Sequence, residues 1–461
     1  MHNRSNGNPG LSRRQLLKHG ACSAAGIAGL HALWNLGLVS SAAAQGPGSV
    51  NDYKALVCVF LYGGNDSYNL LVPRDGTHYN VYAATRQNLA IPQGNLLPIT
   101  PNTSDGSQYG LHPSCTQMKS LFDAGRLAFV ANVGSLSYPM TKTQYLNDSV
   151  ARPPQLFSHY DQQFQWMTSI TDSNQGFGWG GRVAELLHTL NGSSALSMNI
   201  TLLGANTFQV GPTVAPFSMG TGGPQGLAGF WGQQGQRRYL AFQQLLNRQT
   251  PNLFEKAFAD TQKRAIDTNA LLESALSGAA PLATAFPDSY LGAQLAMIAR
   301  TIQVRDQLGV HRQVFFCGIG GFDSHDNQNQ DQPGLFADLS ASLGAFQAAM
   351  AELGTENLVT TFTSSDFGRT LTSNGDGSDH AWGGIQLVMG GNVLGKEIYG
   401  TYPSLALDGP DDIEGGRLVP TTSVDEYSAT LAKWLGVQPG DMATVFPNLS
   451  RFAHPDLGFM S

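Results

Sequence analysis

Five short apolar runs, each cut off by a small polar loop, constrain the fold of this 461-residue chain more than any other feature. Lys54–Leu61 (KALVCVFL) stops at Gly63-Gly64-Asn65-Asp66, and similar runs recur at Leu127–Asn132, Gln313–Ile319, Leu358–Ser364 and Ile385–Gly390. Continuous β-branched and aromatic runs of this length read as strands buried on both faces. Helical patterns at Ser114–Ala124, Ser289–Leu308 and Leu335–Leu353 precede the second, third and fourth runs. That alternation predicts an α/β fold with a doubly wound, mostly parallel sheet and helices on both faces. Ser423-Val424-Asp425-Glu426 predicts a capping box opening a last helix that Gly436 stops, with a final sheet strand just before it.

Between about residues 204 and 287 the pattern changes to Gly- and Gln-rich loops followed by a helical stretch from Tyr239 to Leu276. We read this as an insertion or cap on one α/β domain spanning 45–461. Charged residues are only 13% of the chain, which excludes a coiled coil or an acidic disordered segment. The formal charge is −7, with no basic cluster beyond the first twenty positions, so no nucleic-acid partner is expected.

Those first positions read as an address. Arg13-Arg14 precede a weakly apolar stretch from Ala21 to Val39 that ends at Ala42-Ala43-Ala44. Residues 1–44 thus resemble a twin-arginine export signal with a small-residue cleavage site; the competing reading is a basic amphipathic helix or an uncleaved anchor. His31, Trp34 and Asn35 make the stretch a poor membrane span, and no other apolar run is long enough, so no stable span is expected after processing. The expected location is periplasmic or secreted, with the twin-arginine export machinery as a partner. That machinery moves folded proteins, so a metal can be loaded before export. Cys22 lies in this segment, and Cys58, Cys115 and Cys317 are an odd number, two of them inside strand-like runs; no disulfide framework is predicted.

Ligands of open parallel sheets bind beyond the carboxyl ends of the strands, so the polar residues after each run carry the functional information. They are Asp66; then Asp323 and His325 in Gly-Gly-Phe-Asp-Ser-His; then Asp366 and Arg369; then Asp379-His380. Hard carboxylate oxygens with imidazole nitrogens on rigid element ends suit a hydrolytic divalent metal, as one ion or a pair. Zinc is the first choice, with manganese, calcium or iron as alternatives. Taken singly, each Asp reads equally as a turn or helix cap; their joint placement after successive strands makes the metal reading.

Several of these blocks in order resemble a known family. LVCVFLYGGNDSYNLLVP, YGLHPSCTQMKSLFDAGRLAFVANVG, GFDSHDNQ, SDFGRTLTSNGDGSDHAWGG and TTSVDEYSATLAKWLGV, spanning about 53 to 437, are similar to the bacterial domain of unknown function 1501. That family is grouped by fold with the alkaline phosphatase and sulfatase superfamily, so the resemblance implies metal-dependent hydrolysis of a phosphate or sulfate ester, small or polymeric. It places Asp66 at the superfamily's metal aspartate and Asp323 with His325 at its later Asp and His pair. Asp366 stands at the Asp-His dyad, with Phe367 in place of the His, and Asp379-His380 can supply the missing imidazole. The Cys- or Ser-x-Pro-x-Arg motif of formylglycine sulfatases is absent.

The nucleophile candidate is Ser158, at a helix start where backbone N–H groups favour an anion, with Ser67 a lesser one. Ser158 reads otherwise as a plain N-cap, with His159 packing or hydrogen bonding beside it. Arg369 and Arg182 are candidates for binding an anionic group, or structural arginines. His112 reads as capping or packing. Trp166, Trp179, Trp231 and Trp382 line a cleft or fill the core. The alternative function is an inactive or altered exported binding or assembly protein on the same fold.

Overall fold

The computed structural model describes residues 52–173, 176–230 and 232–461. The expected export signal, Cys22 and Trp231 lie outside them. In chain order the elements that position the site are β1 (Lys54–Leu61), α1 (Gly76–Arg86), α2 (Thr116–Asp123), β2 (Leu127–Gly134), α3 (His159–Thr168), β3 (Asn199–Thr201) and β4 (Phe217–Ser218). Then come α4 (Gly232–Leu246), α5 (Leu253–Gly278), α6 (Tyr290–Gln303), β5 (Arg312–Ile319), α7 (Gln328–Glu352), β6 (Val359–Ser365), β7 (Gly384–Gly390), β8 (Ile398–Tyr399), β9 (Thr422–Ser423) and α8 (Val424–Leu435).

The fold is mixed α/β around a nine-stranded, mostly parallel sheet of order β8-β2-β7-β6-β1-β5-β3-β4, with β9 also on β2. β1 lies at the centre, in parallel register with β5 (Leu61 opposite Ile319) and β6 (Leu61 opposite Ser365). Its side chains alternate between two cores. Ala55, Val57, Val59 and Leu61 enter one with residues of α2, α6 and α7; Leu56, Cys58 and Phe60 enter the other with residues of α3 and α8. Burial on both faces explains why these runs are apolar without alternation. Cys58, Cys115 and Cys317 are free and buried.

One strand departs from the parallel pattern. β7 runs antiparallel to both β6 and β2. A parallel return needs a crossover, usually helical, but the chain between β6 and β7 contains no helix and folds back on itself through a bridge between Arg369 and His380. The capping box forms as expected, Ser423 and Glu426 bonding each other's backbone N–H groups. α7 begins seven residues before the expected Leu335 and runs through Pro333. Its first turns are held from outside, Gln328 and Gln332 both bonding Asp66, and this outweighs the proline's lost hydrogen bond. The stretch from Tyr239 to Leu276 is two helices, α4 and α5, parted at Thr250-Pro251 and restarted by Asn252, whose side chain caps α5.

Candidate metal centre

Three strand ends and one helix start build a single cluster. After β1 the chain turns at Gly63 and Gly64, whose φ angles of +114° and +86° favour glycine. A Cβ at Gly63 would sit 2.3 Å from the Asp323 amide nitrogen, and one at Gly64 would strike the Phe367 ring at 2.4 Å. The turn can therefore pass between the ends of β5 and β6. Its backbone also steadies the site, the Gly63 N–H donating to Asp366 Oδ1 (3.1 Å) and the Gly63 carbonyl accepting from Arg369 Nη1 (3.0 Å).

Asp323 is the centre of the cluster. Its Oδ1 lies 3.1 Å from His325 Nε2 and 3.2 Å from His380 Nε2, and its Oδ2 lies 3.5 Å from His159 Nε2. The two nitrogens His325 Nε2 and His380 Nε2 are 2.9 Å apart. Donor atoms of His159, Asp323 and His380 all fall within 4.8 Å of one another.

What fixes the three rings is the other nitrogen of each. His159 Nδ1 meets Asp366 Oδ2 at 2.6 Å, His325 Nδ1 meets Asp379 Oδ1 at 3.0 Å, and His380 Nδ1 meets the Phe157 carbonyl at 2.8 Å. A carbonyl or an ionised carboxylate can only accept, so these contacts place a proton on each Nδ1 and turn each Nε2 toward Asp323. Phe367 packs against the rings of His159 and His380, centroids 4.8 and 4.6 Å away. Gln163 Nε2 also donates to Asp366 Oδ2 (2.8 Å), and Asn374 Nδ2 to Asp379 Oδ1 (3.1 Å).

The charges suit a cation. Burial would raise the Asp323 pKa, but the hydrogen bond and charge of Arg369, with His325 and His159 adding to them, hold the carboxyl below its usual value. Asp379 is likewise lowered, burial being outweighed by Asn374 and His325. Burial lowers the His380 pKa, against the bond to Phe157, which favours the neutral imidazole that a metal needs. The Asp323 side chain keeps 45% of its surface accessible, whereas Asp366 and Arg369 beneath it are fully buried. The cluster thus faces solvent from a rigid floor.

The residues anticipated from sequence are placed unevenly. Asp323, His325 and His380 meet directly, and Asp366 and Asp379 stand behind the imidazoles as their hydrogen-bond acceptors. Asp66 is elsewhere: its carboxylate is buried against Arg86 and Gln328. A hydrogen-bonded chain still links it to the cluster, since Gln328 Oε1 accepts from Ser378 Oγ (2.6 Å) and the Ser378 carbonyl accepts from Arg369. Arg369 spends its guanidinium on Gly63, Ser378 and Asp323, so it steadies Asp323 from below and does not reach outward. Ser158 occupies the N-cap position of α3 without capping it, and its Oγ donates to Asp161 Oδ2 at 2.6 Å.

The remaining candidates lie apart. Ser67 Oγ accepts from the Ile385 N–H, and Arg182 is buried on the carbonyls of Val445, Phe177 and Thr168. His112 is buried against Phe336, and burial lowers its pKa to about 4. Trp166, Trp179 and Trp382 are buried, the first two in the core shared with α8. His159 was legible only as a packing or hydrogen-bonding neighbour of Ser158, because it opens a helix and the strand-end pattern does not reach it. An Asp161 in the first turn of α3 was the available sign that this helix start carries polar work.

A family model described as a protein of unknown function, DUF1501, matches residues 53–442. No curated protein matches the chain. Among solved structures, Ps i-CgsB in complex with k-i-k-neocarrahexaose is 10% identical, over 88% of this chain and 78% of that one, with a TM-score of 0.34. The PsFucS1 sulfatase from Pseudoalteromonas sp. is 9% identical, over 89% and 73%, also at 0.34.

Proposed function

The chain belongs to the DUF1501 family, and from that premise we propose that it is an exported, metal-dependent hydrolase of phosphate or sulfate esters, with a single divalent ion held by His159, Asp323, His325 and His380. One observation carries the reading. His325 Nε2, His380 Nε2 and Asp323 Oδ1 lie 2.9 to 3.2 Å from one another, while the Nδ1 of each ring meets an acceptor of its own. With both rings neutral and protonated at Nδ1, three donor atoms so close suit a cation lying among them. Ligands about 2.0–2.1 Å from a tetrahedral zinc stand about 3.3 Å apart, so the spacing suits such an ion. Three imidazoles with one carboxylate favour zinc over calcium, which takes oxygen ligands.

A divalent ion there supplies a Lewis acid toward an ester oxygen and acidifies water. The protein's own part is placement. Asp366, Asp379 and the Phe157 carbonyl hold the ring protons outward from the ion, as outer partners of metal-bound histidines do. Arg369 keeps Asp323 ionised. Ser158, with Asp161 as proton acceptor, is the nucleophile to test, and it sits one residue from a ligand. The reading extends to residues 1–44 as a twin-arginine signal, to a periplasmic or secreted location, and to 45–461 as one domain with its insertion at 204–287.

Elemental analysis of exported protein purified without chelator tests the site. About one ion per chain, lost in His159→Ala and in Asp323→Ala/His325→Ala and kept in Asp66→Asn, is the expected result. Folded protein that takes up no metal on titration sinks it. Turnover of p-nitrophenyl phosphate or sulfate, abolished by Ser158→Ala, would add the reaction. A second reading, a binding or assembly protein without turnover, is favoured by Arg369, the residue expected to bind an anionic group, being wholly engaged inside the protein. Metal without turnover decides for it.

A further inference from the structure

The insertion carries a surface unlike the rest of the molecule. α4 and α5 form a hairpin beyond the β4 edge of the sheet, joined by the short segment 247–252. α5 is anchored at its far end, where Leu272, Ala275 and Leu276 enter the main core. Its near end is not: no residue from 251 to 267 is buried, and in α4 only Gly235 and Leu246 are. Gln262, Ala265 and Ile266 line a cleft with Pro216, Phe217 and Ser218, so the part of α5 that projects is 253–261, about 13 Å at 1.5 Å per residue.

Five large apolar side chains stand exposed on this projection: Leu240 (59%), Leu245 (66%), Leu253 (80%), Phe254 (87%) and Phe258 (62%). Leu253 and Phe254 open α5 right after Pro251-Asn252, where the Asn252 cap fixes the helix start and so holds them at the tip. Scattered exposed apolar residues are ordinary, but five within nineteen positions mark a contact surface. The same hairpin is net basic. The hairpin as a whole, 232–278, carries Arg237, Arg238, Arg248, Lys256, Lys263 and Arg264 against Glu255, Asp260, Asp267 and Glu273, with Lys256 paired to Asp260 at 2.6 Å, a local excess of positive charge dispersed along two helices in a chain of formal charge −7.

We propose that the α4–α5 tip docks on an anionic phospholipid surface, its Leu and Phe side chains entering the acyl boundary while the Arg and Lys side chains meet the headgroups. Apolar residues interleaved with long cationic side chains match that interface, where the charged ends stay in the headgroup layer. The charge also argues against the simplest rival. A two-fold dimer through the same hairpins would bring two net-positive surfaces together, because an isologous contact opposes each patch to its own copy. An anionic polysaccharide answers the cations but offers Leu253 and Phe254 no hydrocarbon.

The test is flotation of the full exported protein with vesicles of phosphatidylcholine, alone or with about a third phosphatidylglycerol. Binding is expected with phosphatidylglycerol, weakening as salt rises, and absent with phosphatidylcholine alone. Leu253→Gln/Phe254→Gln lowers the apparent affinity at least about tenfold, Arg248→Gln/Lys256→Gln about tenfold or more, and Leu146→Gln, an exposed leucine elsewhere, leaves it unchanged. Circular dichroism verifies that each variant stays folded, which their exposure predicts. Several results overturn the proposal: no flotation with phosphatidylglycerol, equal flotation of the Leu253/Phe254 variant, a dimer that Phe254→Gln dissociates without vesicle binding, or binding to dextran sulfate but not to vesicles.

Discussion

Asp66 and Asp323 begin alike and end in opposite surroundings. Each follows a glycine pair at the end of a central parallel strand, β1 or β5. Asp66 turns inward, where the buried Arg86 takes its Oδ2 and Gln328 joins it. Asp323 turns outward, where Arg369 supports it from below and three imidazoles gather round it. The glycine pair sets only where the backbone can go. Which way the carboxylate works is decided by the arginine that reaches it, from α1 in one case and from the loop after β6 in the other. One charge is sealed into the structure and the other is held at the surface among imidazoles.

The largest effect is expected where the sealed pair is broken. Asp66→Ala leaves the Arg86 guanidinium buried without its counter-charge and should cost about 3–5 kcal/mol in denaturant unfolding. Asp66→Ala/Arg86→Met should recover much of that loss. If Asp66→Ala instead removes bound metal from a protein of unchanged stability, the contrast with Asp323 is lost.

A third buried carboxylate sharpens the comparison. Neither oxygen of Asp425 has a hydrogen-bond partner, and burial raises its pKa to about 7, against the partial relief of the Ser169 hydroxyl nearby and the field of Arg182. A carboxyl raised in the folded state favours folding at low pH and loses that advantage as pH climbs toward the folded value. Asp425→Asn should therefore gain on the wild type by about 3 kcal/mol between pH 5 and pH 8, read from paired melts at each pH. A gap that stays constant with pH would show that the carboxyl does not titrate there.

Smaller effects are expected at the exposed cluster, and in metal affinity more than in stability. His159→Ala should weaken zinc binding about 100-fold in competition with a chromophoric chelator. Asp366→Asn and Asp379→Asn should each weaken it about tenfold, at the lower end of the range for outer partners of metal-bound histidines. Should the two Asn variants bind as the wild type does, the carboxylates behind the imidazoles have no share in orienting them.

The sheet was legible because its strands are buried on both faces, so each run announces itself without reference to its neighbours. The direction of β7 was not, since strand direction depends on the connection, and the segment from 366 to 383 has polar turn residues that suit many paths. In the site, Asp323, His325 and His380 could be read from their places after strands. The division between ligand and orienting partner could not, because it turns on which ring nitrogen meets which carboxylate. Arg86 carried no signal at all, an arginine in the last turn of a short helix being ordinary at a surface.

The four proposed donors are scattered from position 159 to position 380 and come together only at the middle of the sheet. No shorter stretch of chain holds them all. During synthesis, then, the growing polypeptide has no complete binding site until the strand that follows His380 has emerged and inserted between β6 and β2. A truncated product lacking β7 would lack the closed sheet that gathers the four proposed donors, however much of the amino-terminal half had collapsed, so the cluster forms only when the centre of the sheet closes.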